Sequence, residues 1–252
     1  MSNEIASLLQ AIDQLPNDWH RAGSGGSVWI RGIAEHLQSL GPIRHSAETG
    51  SGKTTLLFSH LSQSHTVFAV DDGNSISQVK KSPLFDGTRV HYVEGPTQLT
   101  LPQHRFADKL DVALIDGPHG YPFPDLEYLY FYPQIARGGL LLVDDIAIPS
   151  IRRMAEIIAA DDMFDLIDTV DGNLAVFRRT DAPAIDPHSD SWWLQGYNRA
   201  HHQRILNGTA HLSSLEAFFR PKLVKIVRVA AQVVPQALRG RMSERMQKRL
   251  WN

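Results

Sequence analysis

Seven short apolar or β-branched runs punctuate this chain, and five of them stop at an acid or a glycine. Ile43 to Ala47 leads into Glu48-Thr49-Gly50, His65 to Val70 into Asp71-Asp72, and Val90 to Val93 into Glu94-Gly95. Val112 to Ile115 leads into Asp116, and Leu140 to Val143 into Asp144-Asp145. Helix-spaced segments lie between them: Thr54 to Leu61, Ile76 to Lys80, Leu126 to Ile135 closed by Gly138-Gly139, and Ser150 to Ala160. Near-continuous apolar strands alternating with helices predict a mostly parallel sheet buried on both faces, the doubly wound α/β class. Phe164 to Thr169 and Leu174 to Arg178 add a terminal antiparallel hairpin across Asp171-Gly172-Asn173, which makes seven strands. Ligands of such sheets sit at the carboxyl ends of the strands, so the acids collect at one edge and the site is expected there.

The flanks read differently. Ile5, Leu8, Leu9 and Ile12 fall at helical spacing within Glu4 to Leu15, Pro16 stops that helix, and a second helix is expected from Val28 to Leu40. Past Ala182 the chain turns basic and mainly helical, broken by Pro221 and Pro235. Arg220 to Asn252 carries nine Lys or Arg and one acid, whereas the rest carries 16 basic and 26 acidic residues. That asymmetry, with Leu223, Val224, Ile226 and Val227 adding apolar character, suggests peripheral contact with an anionic membrane or a homo-oligomer arm; no nucleic acid is expected. There is no Cys, which excludes disulfides, thiolate metal sites and Cys nucleophiles. No run of about 18 apolar residues and no signal-peptide pattern is present, so the cytoplasm is the expected compartment.

The loop Ala47-Glu48-Thr49-Gly50-Ser51-Gly52-Lys53-Thr54 admits two readings. As A-x-x-x-x-G-K-T it is a nucleoside-triphosphate loop of an NTPase or kinase, with backbone N–H groups and Lys53 on phosphates and Thr54 on Mg²⁺. Against this, Ala47 replaces a glycine, Glu48 sets a carboxylate beside the phosphates, and the acids at the other strand ends are left idle. As E-x-G-x-G it is the first loop of an adenosyl-cofactor site. Glu48, Gly50, Ser51 and Gly52 then approach the amino-acid part, and Asp71, with Asp72 beside it, accepts hydrogen bonds from both ribose hydroxyls. Thr97 and Gln98 of Gly95-Pro96-Thr97-Gln98 suit the adenine edge.

These motifs, with Ile115-Asp116-Gly117-Pro118-His119-Gly120-Tyr121 and Gly138-Gly139-Leu140-Leu141-Leu142-Val143-Asp144-Asp145, resemble the class I S-adenosylmethionine-dependent methyltransferases. Within them they are similar to the catechol O-methyltransferase-like, small-molecule O-methyltransferases. The resemblance spans Gly41 to Arg179 and implies a Rossmann-like methyltransferase fold that binds S-adenosyl-L-methionine. It divides the chain into an N-terminal helical segment or lid at 1–40, a cofactor-binding catalytic domain at 41–180 and a basic extension at 181–252. It also implies a cofactor role for Asp116 and a divalent ion, Mg²⁺ or another, held by Asp116, Asp144 and Asp145. Three carboxylates at one edge repel unless protonated or neutralised by a cation, and oxygen ligands suit Mg²⁺, Ca²⁺ or Mn²⁺. Asp145 departs from the catechol branch, which carries Asn there.

His119, three residues after Asp116, is the general-base candidate and alternatively a metal ligand, with Asp116 the other catalytic candidate. His20 is a weaker one. Trp19, Tyr121, Trp192 and Trp193 could wall a pocket for a small-molecule or glycan hydroxyl. Lys53 is read as pointing to solvent from the first helical turn, the alternative being a cover for the cofactor carboxylate. A binding protein that keeps the fold without turnover is a third class of reading.

Overall fold

The structure is a computed structural model that describes residues 3–16 and 26–207. Trp19, His20 and the basic tail from Arg220 to Asn252 lie outside the described residues. The chain divides into two units, Met1–His188 and Ser189–Asn252.

The first unit holds one seven-stranded sheet. Its strands are β1 (Ile43–Thr49), β2 (Ser62–Ala69), β3 (Val90–Glu94), β4 (Leu110–Ile115), β5 (Ile135–Val143), β6 (Phe164–Val170) and β7 (Leu174–Arg179). Their order is β3-β2-β1-β4-β5-β7-β6. The first five run parallel, while β7 is antiparallel to both β5 and β6. This is the expected doubly wound sheet with its terminal antiparallel hairpin.

Period-two patterning decides which helices cover which face. Val112, Leu114, Leu140, Leu142, Leu174 and Val176 form one core with α1 (Asn3–Asp13), α2 (Ser27–Leu40) and α3 (Lys53–Leu61). Their neighbours Ala113, Ile115, Leu141, Val143, Ala175 and Phe177 form the other. That second core packs on Phe131 at the end of α6 (Phe123–Phe131) and on Ile151, Met154 and Ile158 of α7 (Pro149–Ala159). Helices α1 and α2 thus bury Leu9, Ile12, Ile30 and Ile33 in the same core as the sheet. No helix among the described residues is long and apolar enough to cross a membrane.

Two boundaries differ from expectation. Gly138-Gly139 do not close a helix; they lie inside β5, because Pro133 helps end the preceding helix at a 3-10 turn, Tyr132–Gln134. The β4–β5 register shifts between Leu110 and Val112, and a Cβ on Gly139 would stand 2.8 Å from the Asp111 carbonyl oxygen, so the strands approach too closely for a side chain. The segment after β3 also forms a short helix, α5 (Thr97–Thr100), whereas α4 (Ser75–Lys81) lies before that strand. In the second unit, Trp192 and Trp193 pack edge to face, centroids 5.1 Å apart, and α8 (Gly196–Leu206) brings His202 against Trp192.

Candidate active site

The chain order reverses between β1 and β4, and a crevice opens at the carboxyl ends of these two neighbours. A cavity of about 1000 Å³ occupies it. That is the upper end of the range for small-molecule sites, roughly 300–1,000 Å³. Each central strand contributes to its lining: Gly50, Ser51, Gly52, Lys53 and Thr54 after β1; Ala69, Val70 and Ser75 around the end of β2; Gly95 to Gln98 after β3. Asp116 to His119 follow β4, Asp144 and Asp145 follow β5, and Asn173 comes from the β6–β7 turn.

Backbone bonds hold these loops together. Gly50 N–H donates to Phe68 O at 3.0 Å, Gly95 N–H to Ala69 O at 2.9 Å and Asp144 N–H to Ile115 O at 3.0 Å. Gly50 has φ +85°, and a Cβ there would sit 2.2 Å from the Asp116 carbonyl oxygen. Glycine is therefore required both by dihedral and by space.

Beneath the glycine loop lies a buried polar network. Glu48 is fully buried and does not line the cavity. Its carboxylate accepts from Thr55 Oγ1, lies 3.2 Å from His65 Nε2, and Thr55 Oγ1 in turn accepts from Gly52 N–H at 3.0 Å. His65 Nδ1 is 2.7 Å from Ser46 Oγ and its ring stacks on Phe58 at 4.6 Å. Glu48 thus ties the glycine loop to β1 and β2 from below.

The acids at the other strand ends take separate roles. Asp71 follows β2 next to the lining residue Val70, and its carboxylate is held by the Ser77 hydroxyl and backbone N–H, which pull its pKa down. The side chain of Asp72 lies outside the described ones. Asp144 accepts from Trp29 Nε1 at 2.9 Å. His119 Nε2 stands 2.9 Å from Asp145 Oδ2 and 3.7 Å from Asp116 Oδ1. One candidate ligand atom from each of Asp116, His119 and Asp145 lies within 4.8 Å of the others. The set brought together is therefore Asp116, His119 and Asp145, whereas the resemblance implied Asp116, Asp144 and Asp145 with His119 as an alternative ligand; Asp144 turns toward the Trp29 indole. Asp145 has φ +58° and Asn173 Nδ2 donates to its Oδ1 at 2.8 Å, which fixes its direction.

Electrostatics follow from this crowding. About 29% of the Asp116 side chain stays accessible, yet the surrounding walls desolvate its carboxyl and raise its pKa, with the Glu48 and Asp145 charges adding to the rise. Burial and then the Asp116 charge also raise Asp144. His119 is raised by its pairing with Asp116, against partial burial and with help from Asp145. The carboxylates of Asp116 and Asp145 with the His119 imidazole form a donor set that fits a divalent cation.

Three contributors escaped the sequence reading, and a fourth residue, Lys53, lies elsewhere than expected. Trp29 and Asn173 orient Asp144 and Asp145, and both come from segments read only as helix or turn. Glu127 of α6 lies 1% exposed under the site. Its Oε2 accepts from Thr49 Oγ1 at 2.7 Å, and Thr49 Oγ1 accepts from Asp116 N–H at 3.0 Å. Lys53 does not point to solvent: it is 5% exposed, lines the cavity and donates to Leu15 O at 3.3 Å. Tyr121 is 75% exposed.

Comparison with known proteins agrees with this geometry. Residues 47–146 match the family model of a methyltransferase domain. The O-methyltransferase TomG from Streptomyces achromogenes, involved in tomaymycin synthesis and solved in complex with SAM, superposes with a TM-score of 0.51 at 12% identity, covering 71% of this chain and 91% of that one. The SAH-bound Podospora anserina methyltransferase PaMTH1 superposes with a TM-score of 0.51 at 15% identity, covering 72% and 89%. Among curated proteins no match to the sequence is found. Neither the nucleoside-triphosphate reading of Ala47 to Thr54 nor that of a non-catalytic binding protein gains support from these comparisons. The sheet order, the crevice between β1 and β4 and the structural neighbours show that the first unit has the Rossmann-like methyltransferase fold, and residues 47–146 within it match a methyltransferase domain.

Proposed function

We propose that the protein transfers the methyl group of S-adenosylmethionine to a hydroxyl oxygen of a small-molecule or glycan acceptor. The observation that carries this is that the glycine loop after β1 and the Asp116–His119–Asp145 cluster line one and the same cavity. The loop Gly50–Gly52 receives the amino-acid part of the cofactor, Asp71 the ribose hydroxyls, and Thr97 and Gln98 the adenine. The acceptor hydroxyl lies at the acidic end, against His119.

In the transfer, the acceptor oxygen forms a bond to the methyl carbon as the carbon–sulfur bond breaks. The electron pair of that bond passes to sulfur, which leaves S-adenosylhomocysteine. The donor is already reactive, so the protein contributes alignment and removal of the hydroxyl proton. With Nε2–H donated to Asp145, the His119 ring accepts that proton at Nδ1, and the neighbouring carboxylates stabilise the imidazolium formed.

The ligand cluster favours a second form of the same reading. Asp116, His119 and Asp145 are the residues that would hold a divalent cation, and such an ion would acidify a bound hydroxyl. A chelator separates the two forms: activity that survives EDTA assigns proton removal to His119, and activity lost and restored by Mg²⁺ or Mn²⁺ assigns it to the ion.

The cofactor is tested by thermal unfolding with S-adenosylmethionine, S-adenosylhomocysteine or ATP, each with and without Mg²⁺. A ligand at about 100 times its Kd adds roughly 2.7 kcal/mol. Stabilisation by S-adenosylmethionine and S-adenosylhomocysteine is expected, and stabilisation by ATP with Mg²⁺ alone would overturn the reading. Transfer of a radiolabelled methyl group to a panel of phenols and glycans then identifies the acceptor class.

A further inference from the structure

Lys53 has no role in the methyl-transfer scheme, yet its placement is specific. It is the first residue of α3, directly after Gly50-Ser51-Gly52, and only 5% of it is exposed. Its ammonium has three donors, and among the described residues its acceptor is the Leu15 carbonyl at 3.3 Å. The nearby Asp13 carboxylate attracts it but is committed to Arg31 at 2.8 Å. A buried cation with donors to spare is unfavourable unless an anion arrives.

The distribution of charge along the cavity says where that anion sits. The acids Asp116, Asp144 and Asp145 line one end, and His119 is already paired with Asp145 and Asp116. Among the described lining residues, Lys53 is the cation that no carboxylate has claimed. It stands where backbone N–H groups at a helix start also favour negative charge.

We infer that Lys53 binds the carboxylate of the amino-acid end of the cofactor, an inference that rests on the S-adenosylmethionine reading above. A carboxylate–ammonium bond in a half-closed site sets the direction of the cofactor, with its methyl group toward the acidic end. It also makes the site discriminate against adenosyl ligands that lack the carboxylate.

Calorimetric titration of the full chain and of Lys53→Gln and Lys53→Arg tests this with four ligands: S-adenosylhomocysteine, decarboxylated S-adenosylmethionine, 5′-methylthioadenosine, and ATP with Mg²⁺. Lys53→Gln should weaken S-adenosylhomocysteine about 10- to 100-fold, the range of a charge-assisted hydrogen bond. The two ligands without a carboxylate should change less than about twofold in the same variant, which also shows that its site is folded. Lys53→Arg should retain most of the affinity. Equal weakening of all adenosyl ligands, or of none, overturns the inference while leaving the cofactor reading intact. A wild-type protein that binds no adenosyl ligand overturns both. Binding of ATP with Mg²⁺ that is lost in Lys53→Gln overturns the inference by making phosphate the anion.

Discussion

At the scale of single residues, two side chains decide how the site responds to protons and to mutation. Glu127 is buried beneath the Asp116 turn, and desolvation raises its carboxyl from 4.5 to about 7 against the opposing hydrogen bond from Thr49. Below pH 4.5 it is protonated in both folded and unfolded chains; between 4.5 and about 7 the unfolded chain releases the proton first, so stability falls as pH rises through that window. Glu127→Gln should remove on the order of 3 kcal/mol of this loss, read as a smaller drop in Tm between pH 5 and pH 8. An unchanged drop would show that the carboxyl titrates near its ordinary value. His119→Ala should lower kcat by about 10²-fold or more while leaving the Kd for S-adenosylhomocysteine within about twofold. A matching loss of cofactor affinity would make His119 a structural residue. Asp116, His119 and Asp145 could be nominated from their places after strands, but the Asp144-to-Trp29 bond spans 115 residues and no local pattern announces it.

At the scale of elements, the site is a meeting of loops whose strands pair in a set register. Glu48 pairs with Leu114 across β1 and β4, which brings Gly50 against the Asp116 carbonyl. Gly50→Ala would combine a left-handed φ of +85° with a 2.2 Å approach. It should cost about 2 kcal/mol or more of stability and lower cofactor affinity, because the loop can relieve the clash only by moving Asp116. Native stability with unaltered binding would disprove that coupling. The sequence reading located every strand of this sheet and the acids that follow the parallel ones, since apolar runs and strand-end polar residues are local signals. It misplaced Gly138-Gly139 because a close approach of β4 and β5 is a property of the pair, not of either strand. It also sent Lys53 to solvent, because the Leu15 carbonyl that receives it belongs to the bend after α1, 38 residues away.

At the scale of the whole molecule, the sheet orders stability. The central strands β1, β4 and β5 are paired on both sides, and β6 is an edge whose Leu166 and Ile167 are 48% and 40% exposed. Amide exchange should therefore be slowest in β1, β4 and β5 and faster in β6, with added S-adenosylhomocysteine slowing exchange at 50–53 and 95–98. Fast exchange in the central strands, or ligand protection confined elsewhere, would contradict the architecture. The amino-acid order by itself determined the class of this fold, the strand ends that carry polar residues and the glycine loop, since each depends on periodicity or on residues adjacent in the chain. The tertiary structure alone decided that Glu48 supports the loop from beneath, that Asp144 turns to the Trp29 indole while His119 pairs with Asp145, and that Lys53 is buried at the cavity wall. Those outcomes depend on burial and on partners far apart in sequence, and desolvation makes a charge choose its partner only after the walls around it are in place.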